Sequence, residues 1–205
     1  MSDLTPTYLA MTTKYYVLRH DNDDGVFIDG DVVFCPALAE PYQAGKDVVP
    51  AATRLELVLD RRARVVKPDF FLTTSGAFFV SAAMKDVLSQ HATLLDFFPV
   101  DTRHAEGHPT DKTWFLMHAK DRLACFDYVN ADYAGKPLVL SRMAAKTLSA
   151  DYLARGIKTL RIVEGQTAGL DCFFIDGIIW IDPVVSAAVV DAARAAGLVL
   201  NVEAI

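Results

Sequence analysis

The alternation of apolar and polar residues predicts strands along most of the chain, with helical periodicity confined to short segments. Residues 54–62, RLELVLDRR, alternate as a strand with one face in solvent does. Residues 14–21, KYYVLRHD, alternate too little for that and are typical of a strand buried on both faces. We expect roughly nine or ten strands and about three short helices. Because tight turns join most of the apolar runs, the pattern predicts an α+β fold with a mostly antiparallel or mixed sheet.

One arrangement of elements is predicted twice: strand, glycine turn, strand, capping residue and helix. Residues 68–80, PDFFLTTSGAFFV, and residues 170–182, LDCFFIDGIIWID, each place two apolar runs around a glycine. Ser81 follows the first segment, and its hydroxyl is suited to accept a hydrogen bond from the first turn of a helix. We therefore expect Ser81 to cap a helix that reaches about His91.

The start of the second helix has two possible registers. An ungapped alignment onto the first unit makes Asp182 the cap ahead of Pro183, and Asp followed by Pro is a strong start signal. We favour this register. The other register begins the helix at Ser186, because Val-Ser-Ala-Ala occurs both around Ser81 and around Ser186. In either case Gly197 is expected to end the helix, and a last strand follows.

The remaining apolar segments predict further elements. Residues 94–103 are expected to be extended as far as Pro99. Residues 113–119 and 122–129 flank a Lys-Asp turn and predict a β-hairpin or two neighbouring strands. The next predicted elements are a strand at KPLVLSRMA (136–144), a short helix in SADYLARGI (149–157) that ends at Gly156, and a strand at KTLRIVEG (158–165).

The length of the chain bounds its domain organisation. A chain of 205 residues fits one domain with a substantial core. Residues 36–52 hold three prolines and no clear period, which predicts a loop. We expect a single domain over 1–205, and the alternative is a small N-terminal lobe at 1–50 with a main body at 51–205.

Composition and charge narrow the class of protein. Hydrophobic residues make up 52% of the chain and charged residues 22%, as in soluble globular proteins. The net charge of −6 argues against a nucleic-acid partner and is compatible with a basic protein partner. The N-terminus lacks the pattern of a signal peptide, and no uncharged apolar stretch reaches the roughly 18 residues of a membrane span. We expect a cytoplasmic protein with no membrane partner.

The three cysteines, Cys35, Cys125 and Cys172, each lie among apolar residues. An odd number without paired spacing is not typical of a disulfide framework. We expect all three to be buried free thiols in a reducing compartment.

An acidic segment, HDNDDGVFIDGD, follows the first predicted strand. An EF-hand loop needs acids at positions 1, 3 and 5, glycine at 6 and glutamate at 12, and neither register of this segment meets that spacing. Asp-Gly turns between strands are the simpler interpretation. Exposed aspartates also form a candidate contact surface for a basic partner, because opposite charge across an interface speeds encounter. The candidate partner-binding residues are Asp21, Asp23, Asp24, Asp29 and Asp31.

The polar loop DTRHAEGHPTD contains His104 and His108, a spacing that can share a zinc ion when it lies on a helix. Gly107 and Pro109 prevent a regular helix here, so a solvated loop is the simpler interpretation. The alternative is a small metal-dependent enzyme or ligand-binding protein that uses this loop.

Familiar motifs for catalysis and cofactor binding are absent from the sequence. There is no Gly-x-Ser-x-Gly elbow, no Gly-x-Gly-x-x-Gly after a strand and no Walker phosphate loop. Ser81 and Lys85 are one position further apart than the Ser-Lys acylase pattern requires. We therefore predict no catalytic residues, no resident metal and no cofactor.

The order of several motifs resembles bacterial immunity proteins of polymorphic toxin systems, in a family first catalogued from a myxobacterial protein as a domain of unknown function. The motifs span about residues 14–200 and comprise YYVL, PDFF before FFVSAAMKDVL, DFFPV, WFLMHAKDRLACFDY and RAAGL. The resemblance implies a small cytoplasmic protein that binds a cognate toxin and blocks it. It supplies no catalytic residues, and together with the net charge it favours a basic toxin as the partner.

Overall fold

A computed structural model of the chain describes residues 15–20, 28–46 and 48–205. Within these residues, eleven strands form two sheets, connected by three α-helices and one 3₁₀ helix. The strands are β1 (Tyr15–Arg19), β2 (Gly30–Cys35), β3 (Arg54–Leu59), β4 (Phe70–Leu72), β5 (Phe78–Ser81), β6 (Leu95–His104), β7 (Trp114–Ala119), β8 (Arg122–Leu123), β9 (Cys172–Ile175), β10 (Val184–Ser186) and β11 (Asn201–Ala204). The helices are α1 (Ala82–Leu88), α2 (Lys136–Ala144) and α3 (Ala187–Ala195), with the 3₁₀ helix at Glu164–Gln166. The predicted α+β class with antiparallel and mixed sheets is confirmed.

The smaller sheet has the strand order β11-β1-β10-β9-β8 and is antiparallel except between β8 and β9. Its central strands are buried on both faces. In β1, Tyr15 and Val17 pack into one hydrophobic cluster, whereas Tyr16 and Leu18 pack against another on the opposite face. A strand covered on both sides needs apolar residues at successive positions, which is the pattern that predicted β1.

The larger sheet has the strand order β2-β3-β6-β7-β5-β4, with β3 and β6 parallel and the other neighbours antiparallel. The alternation in β3 buries Leu55, Leu57 and Leu59 and exposes Arg54 and Glu56. This confirms the half-exposed strand predicted from RLELVLDRR.

The loop between β2 and β3 covers the buried face of the larger sheet. The Tyr42 ring stacks on Phe34 of β2 with 5.5 Å between ring centroids. Its hydroxyl lies 2.9 Å from Nδ1 of His118 in β7, within hydrogen-bond distance. The loop predicted at 36–52 is confirmed, and the division of the chain into one domain or two stays a prediction.

The predicted strand–turn–strand–helix arrangement occurs twice, as β4-β5-α1 and β9-β10-α3. The two strands of each unit pair antiparallel, and α1 packs against α3. Gly76 turns the first unit with a φ of 81°, and Gly177 follows β9 in the second with a φ of 74°. Glycine adopts this left-handed region without steric cost. Phe78 and Phe174 join the two sheets, with 5.2 Å between their ring centroids.

Residues 124–170 cover the other face of the smaller sheet and form a second hydrophobic cluster with it. Phe126, Tyr133 and Leu160 are buried there against Tyr15 and its neighbours in the sheet. Apart from α2 and the 3₁₀ helix, the described backbone in this segment forms turns and isolated bridges.

Several predictions for the C-terminal half are wrong. KPLVLSRMA forms α2 rather than a strand, SADYLARGI forms turns rather than a helix, and KTLRIVEG pairs only through single bridges. β8 joins the smaller sheet beside β9, so it is neither a hairpin partner nor a neighbour of β7. The second strand of the later unit begins at Val184 and not directly after Gly177. The predictions for residues 136–165 are wrong because these segments pack through one face only, and short apolar runs do not distinguish helix from strand.

β6 continues beyond Pro99, where the pattern predicts an end. β7 pairs with its first part, up to Val100, and β3 pairs with the part from Val100 onwards. At Pro99 only β7 lies alongside, so the missing N–H of proline removes no bond to β3.

Candidate functional site

Ser81 and Ser186 each end the last strand of their unit and cap the helix that follows. The Ser81 hydroxyl accepts a hydrogen bond from the Met84 amide at 3.2 Å, and the Ser186 hydroxyl accepts one from the Val189 amide at 3.4 Å. Both serines have extended backbone, with a ψ of 161°, as N-cap residues do. Both are buried, so the structure gives each a capping role.

The prediction that Asp182 caps the second helix is wrong, because α3 begins after Ser186. Gly76 precedes its cap by five positions, whereas Gly177 precedes Ser186 by nine. The extra residues shift the ungapped alignment by one helical turn. The repeated Val-Ser-Ala-Ala was therefore the better guide to the register.

Asp182 has a different structural role. It is buried just before β10 and accepts hydrogen bonds from the backbone amide and Nδ1 of His20, at 3.1 and 2.5 Å. The Arg19 guanidinium lies 3.5 Å from its other oxygen. Asp182 thus holds the end of β1 against the start of β10.

The Asp171 carboxylate lies between Ser186 and His91. The Ser186 hydroxyl donates to one oxygen at 2.6 Å, and Nδ1 of His91 lies 3.5 Å from the other. A hydrolytic triad places the imidazole between serine and carboxylate, so that the ring accepts the hydroxyl proton. Here the carboxylate occupies the middle position, so the cluster stabilises the start of α3 and does not activate a nucleophile.

Two of the five aspartates predicted to bind a partner are among the described residues. Asp29 contributes to the fold, since its carboxylate accepts the amides of Gly30 and Thr74 at 2.8 and 2.9 Å. Asp31 is exposed on β2, and no described residue pairs with its carboxylate. The other three, which lie outside the described residues, are Asp21, Asp23 and Asp24.

His104 and His108 flank the tight turn that ends β6. The His104 amide donates to the His108 carbonyl at 2.8 Å, and Nδ1 of His104 lies 3.0 Å from the carbonyl oxygen of Ala63. His108 is exposed. Across residues 15–20, 28–46 and 48–205, no three His, Cys, Asp or Glu side chains lie close enough together to hold a metal ion.

The cysteines differ in exposure. Cys35 ends β2 on the outer face of the sheet and is exposed, so the prediction that it is buried is wrong. Cys125 and Cys172 are buried free thiols. Burial raises the pKa of Cys125 to about 11 and that of Cys172 to about 12. Both remain protonated at neutral pH, and the thiol form is a weak nucleophile.

An open groove of about 420 Å³ lies between α2 and the irregular segment at 152–155, and the sequence analysis did not predict it. Arg142 and Leu138 of α2 line one side. The prediction that KPLVLSRMA is a strand concealed this surface, because a strand separates residues four positions apart by about 13 Å. A helix brings residues four positions apart onto one face, so that spacing was the available signal.

The fold is of the α+β class, and within it Ser81 and Ser186 cap helices while Cys125 and Cys172 are buried. A family model described as an immunity protein family (Imm11) matches residues 12–199. The chain therefore belongs to this family of immunity proteins, which confirms the resemblance seen in its motifs. No curated protein matches the chain. Among the described helices, none combines the length and apolar character needed to cross a membrane.

Proposed function

We propose that this chain neutralises a cognate bacterial toxin by binding it directly, without catalysing a reaction. The observation that carries the proposal is the immunity-family match across residues 12–199. The geometry is consistent with the absence of catalysis at these groups, because Ser81 and Ser186 cap helices and the buried thiols are held protonated.

The acidic segment that leads into β2 is the proposed contact surface for a basic toxin. Five aspartates fall within residues 21–31, and Asp31 presents an exposed carboxylate at the edge strand of the larger sheet. Charge concentrated in this way attracts a basic surface over about 8 Å at physiological ionic strength and raises the rate of encounter. Asp29 adds to the negative charge of this surface, although its carboxylate also accepts a hydrogen bond from the Thr74 amide.

A growth assay with the toxin encoded beside this chain tests the proposal. Cells that express the toxin alone are expected to stop growing, whereas cells that also express this chain are expected to grow. The two purified proteins are expected to form a complex. If growth is not restored and no complex forms, the proposal is refuted.

The same assay separates direct binding from the metal-dependent alternative at the His104 and His108 turn. A His104→Ala/His108→Ala variant is expected to protect cells as well as the wild type does. Metal analysis provides an independent readout on the purified chain. Stoichiometric zinc or manganese that is lost in this variant, together with lost protection, would support the alternative.

A further inference from the structure

Three large apolar side chains are exposed along the groove beside α2. The exposed fractions are 57% for Leu138, 42% for Leu153 and 59% for Ile179, and all three line the same groove. Apolar residues scattered singly on a surface are ordinary, but several that line one depression indicate an interaction surface.

The polar side chains that line this groove have hydrogen-bond donors that no described residue accepts. In the part of the chain that the structure describes, neither Arg142 nor Arg155 forms an ion pair. The hydroxyl of Tyr152 likewise has no hydrogen-bond partner among those residues. Arginine and tyrosine are among the side chains that most often dominate binding energy at protein interfaces.

The charge around the groove is opposite to that of the whole chain. The charged residues among those that line the groove are Arg142 and Arg155, so the lining carries a net charge of +2, whereas the chain as a whole carries −6. Two guanidinium groups that form no ion pair with described residues, in a groove with no acidic lining residue, favour an occupant with carboxylates, which arginine can bind in a bidentate manner.

The helix that forms one wall is held by few contacts. α2 has nine residues, of which Val139 alone is buried. Helices this short are marginal in water without packing against other structure. A segment seated in the groove would cover the exposed side of α2 and add the apolar contacts that it lacks.

We propose that this groove binds an acidic, apolar segment of the toxin. A carboxylate of that segment pairs with Arg142 and Arg155, and a neighbouring apolar side chain packs on Leu138, Leu153 and Ile179. The inference rests on the proposed function and adds a second contact surface, opposite in charge to the aspartates before β2. A protein segment fits better than nucleic acid, because the walls are apolar and the net charge of the chain repels phosphates.

Binding of the purified toxin to four forms of this chain tests the proposal. They are the wild type, Arg142→Glu/Arg155→Glu, Arg142→Lys/Arg155→Lys and a control, Lys158→Glu/Arg161→Glu. The control changes the net charge as much as the first variant does, at exposed residues that do not line the groove. Because all four positions are exposed, each form is expected to retain the thermal unfolding midpoint of the wild type within a few degrees.

The Glu variant is expected to raise Kd by about 30-fold or more, as loss of an interface hot spot does. The Lys variant is expected to lose less, because lysine keeps the charge without the bidentate geometry. The control is expected to stay within about threefold, as for charges outside an interface.

Equal binding by all four forms would overturn the groove as a toxin site and leave the proposed function standing. Absence of binding by the wild type would overturn the proposed function and this inference with it. If the wild type is a dimer that Arg142→Glu/Arg155→Glu converts to a monomer, the occupant is a second copy of the chain. If the wild type binds DNA through these arginines, the occupant is nucleic acid, and the inference fails in that case too.

Discussion

Asp69 and Asp171 occupy equivalent positions at the start of the two units, and each binds the segment that follows the other unit's helix. The Asp69 amide donates to the Val199 carbonyl at 2.9 Å, and its carboxylate accepts the Val199 amide at 2.8 Å. Asp171 makes the same pair of bonds with Ala92, at 2.7 and 3.1 Å. Val199 lies four residues beyond α3, and Ala92 lies four residues beyond α1. The exchange is reciprocal and holds the two units together.

Replacement of Asp69 is expected to destabilise the fold strongly. Its buried carboxylate also accepts a bond from Nζ of Lys112 at 2.8 Å. Asp69→Ala therefore leaves the Val199 amide without its acceptor and removes the carboxylate from Lys112, whose ammonium keeps its bonds to the Lys67 and Pro68 carbonyls. We expect the free energy of unfolding in urea to fall by about 2–4 kcal/mol. The control Asp86→Ala, at an exposed helix position, is expected to change it by less than about 1 kcal/mol. Equal effects of the two substitutions would contradict the stabilising role of the bonds between Asp69 and Val199.

The two capping serines are expected to differ in their contribution to stability. Ser81→Ala removes one cap and is expected to cost about 1 kcal/mol. Ser186→Ala also removes the 2.6 Å bond to Asp171, so we expect a cost of about 2 kcal/mol. Ser141→Ala, on the exposed face of α2, is the control and is expected to stay within about 0.5 kcal/mol. Urea unfolding measures all three, and a smaller effect for Ser186 than for Ser81 would contradict this assignment.

The repeated units show how far the pattern of the sequence determines the fold. Ser81 and its helix followed from an apolar run, a glycine and a capping residue close together in the chain. The role of Ser186 could not be predicted in this way. Extra residues after Gly177 shifted the alignment, and Asp182 followed by proline resembles a helix start. Local signals identify candidate caps. They do not show which of two candidates lies where the strand ends and the helix begins.

Exposure of the thiols predicts their reactivity. Cys35 is exposed, whereas Cys125 and Cys172 are buried and have raised pKa values. With a disulfide reagent at pH 8, one thiol per chain is expected to react quickly and the other two only on unfolding. Cys35→Ala is expected to abolish the fast phase. Two or three fast thiols in the wild type would contradict the structure.

The buried thiols also make stability depend on alkaline pH. The folded pKa values of about 11 and 12 lie above the ordinary value of 9.0, so the folded chain holds these protons more tightly than the unfolded chain. Their contribution to stability is present in full below pH 9 and is lost as the pH rises towards 11 and 12. Urea unfolding at pH 8 and pH 10.5 is expected to give a lower free energy of unfolding at the higher pH. A higher free energy at pH 10.5 would contradict the raised pKa values of the two buried thiols.

Asp31 is expected to affect toxin association more than stability. Its exposed carboxylate has no described partner, so Asp31→Lys is expected to slow association with a basic toxin severalfold at low salt. Asp86→Lys, on α1, makes the same charge change away from β2 and is the control. Stopped-flow association at two salt concentrations measures both variants. Identical rates for the two would remove Asp31 from the contact surface.

The candidate surfaces differ in how readily the sequence reveals them. The acidic segment is visible as a run of aspartates, because charge requires no knowledge of the fold. The groove joins Leu138, Leu153 and Ile179, which are distant in the chain and meet only when residues 124–170 cover the smaller sheet. Spacing places Leu138 near Arg142 on α2, but the rest of that segment has little regular periodicity, so its contacts with Leu153 and Ile179 could not be predicted from spacing.

Titration of toxin activity with the purified chain tests the central claim most directly. A protein that acts by binding is expected to reduce activity in proportion to the amount added and to abolish it near one chain per toxin, at concentrations well above Kd. The inhibited mixture is expected to contain a complex of both intact proteins. Full loss of activity at a small fraction of one chain per toxin, with a chemically altered toxin, would show catalysis and contradict the account, as would activity that this chain leaves unchanged.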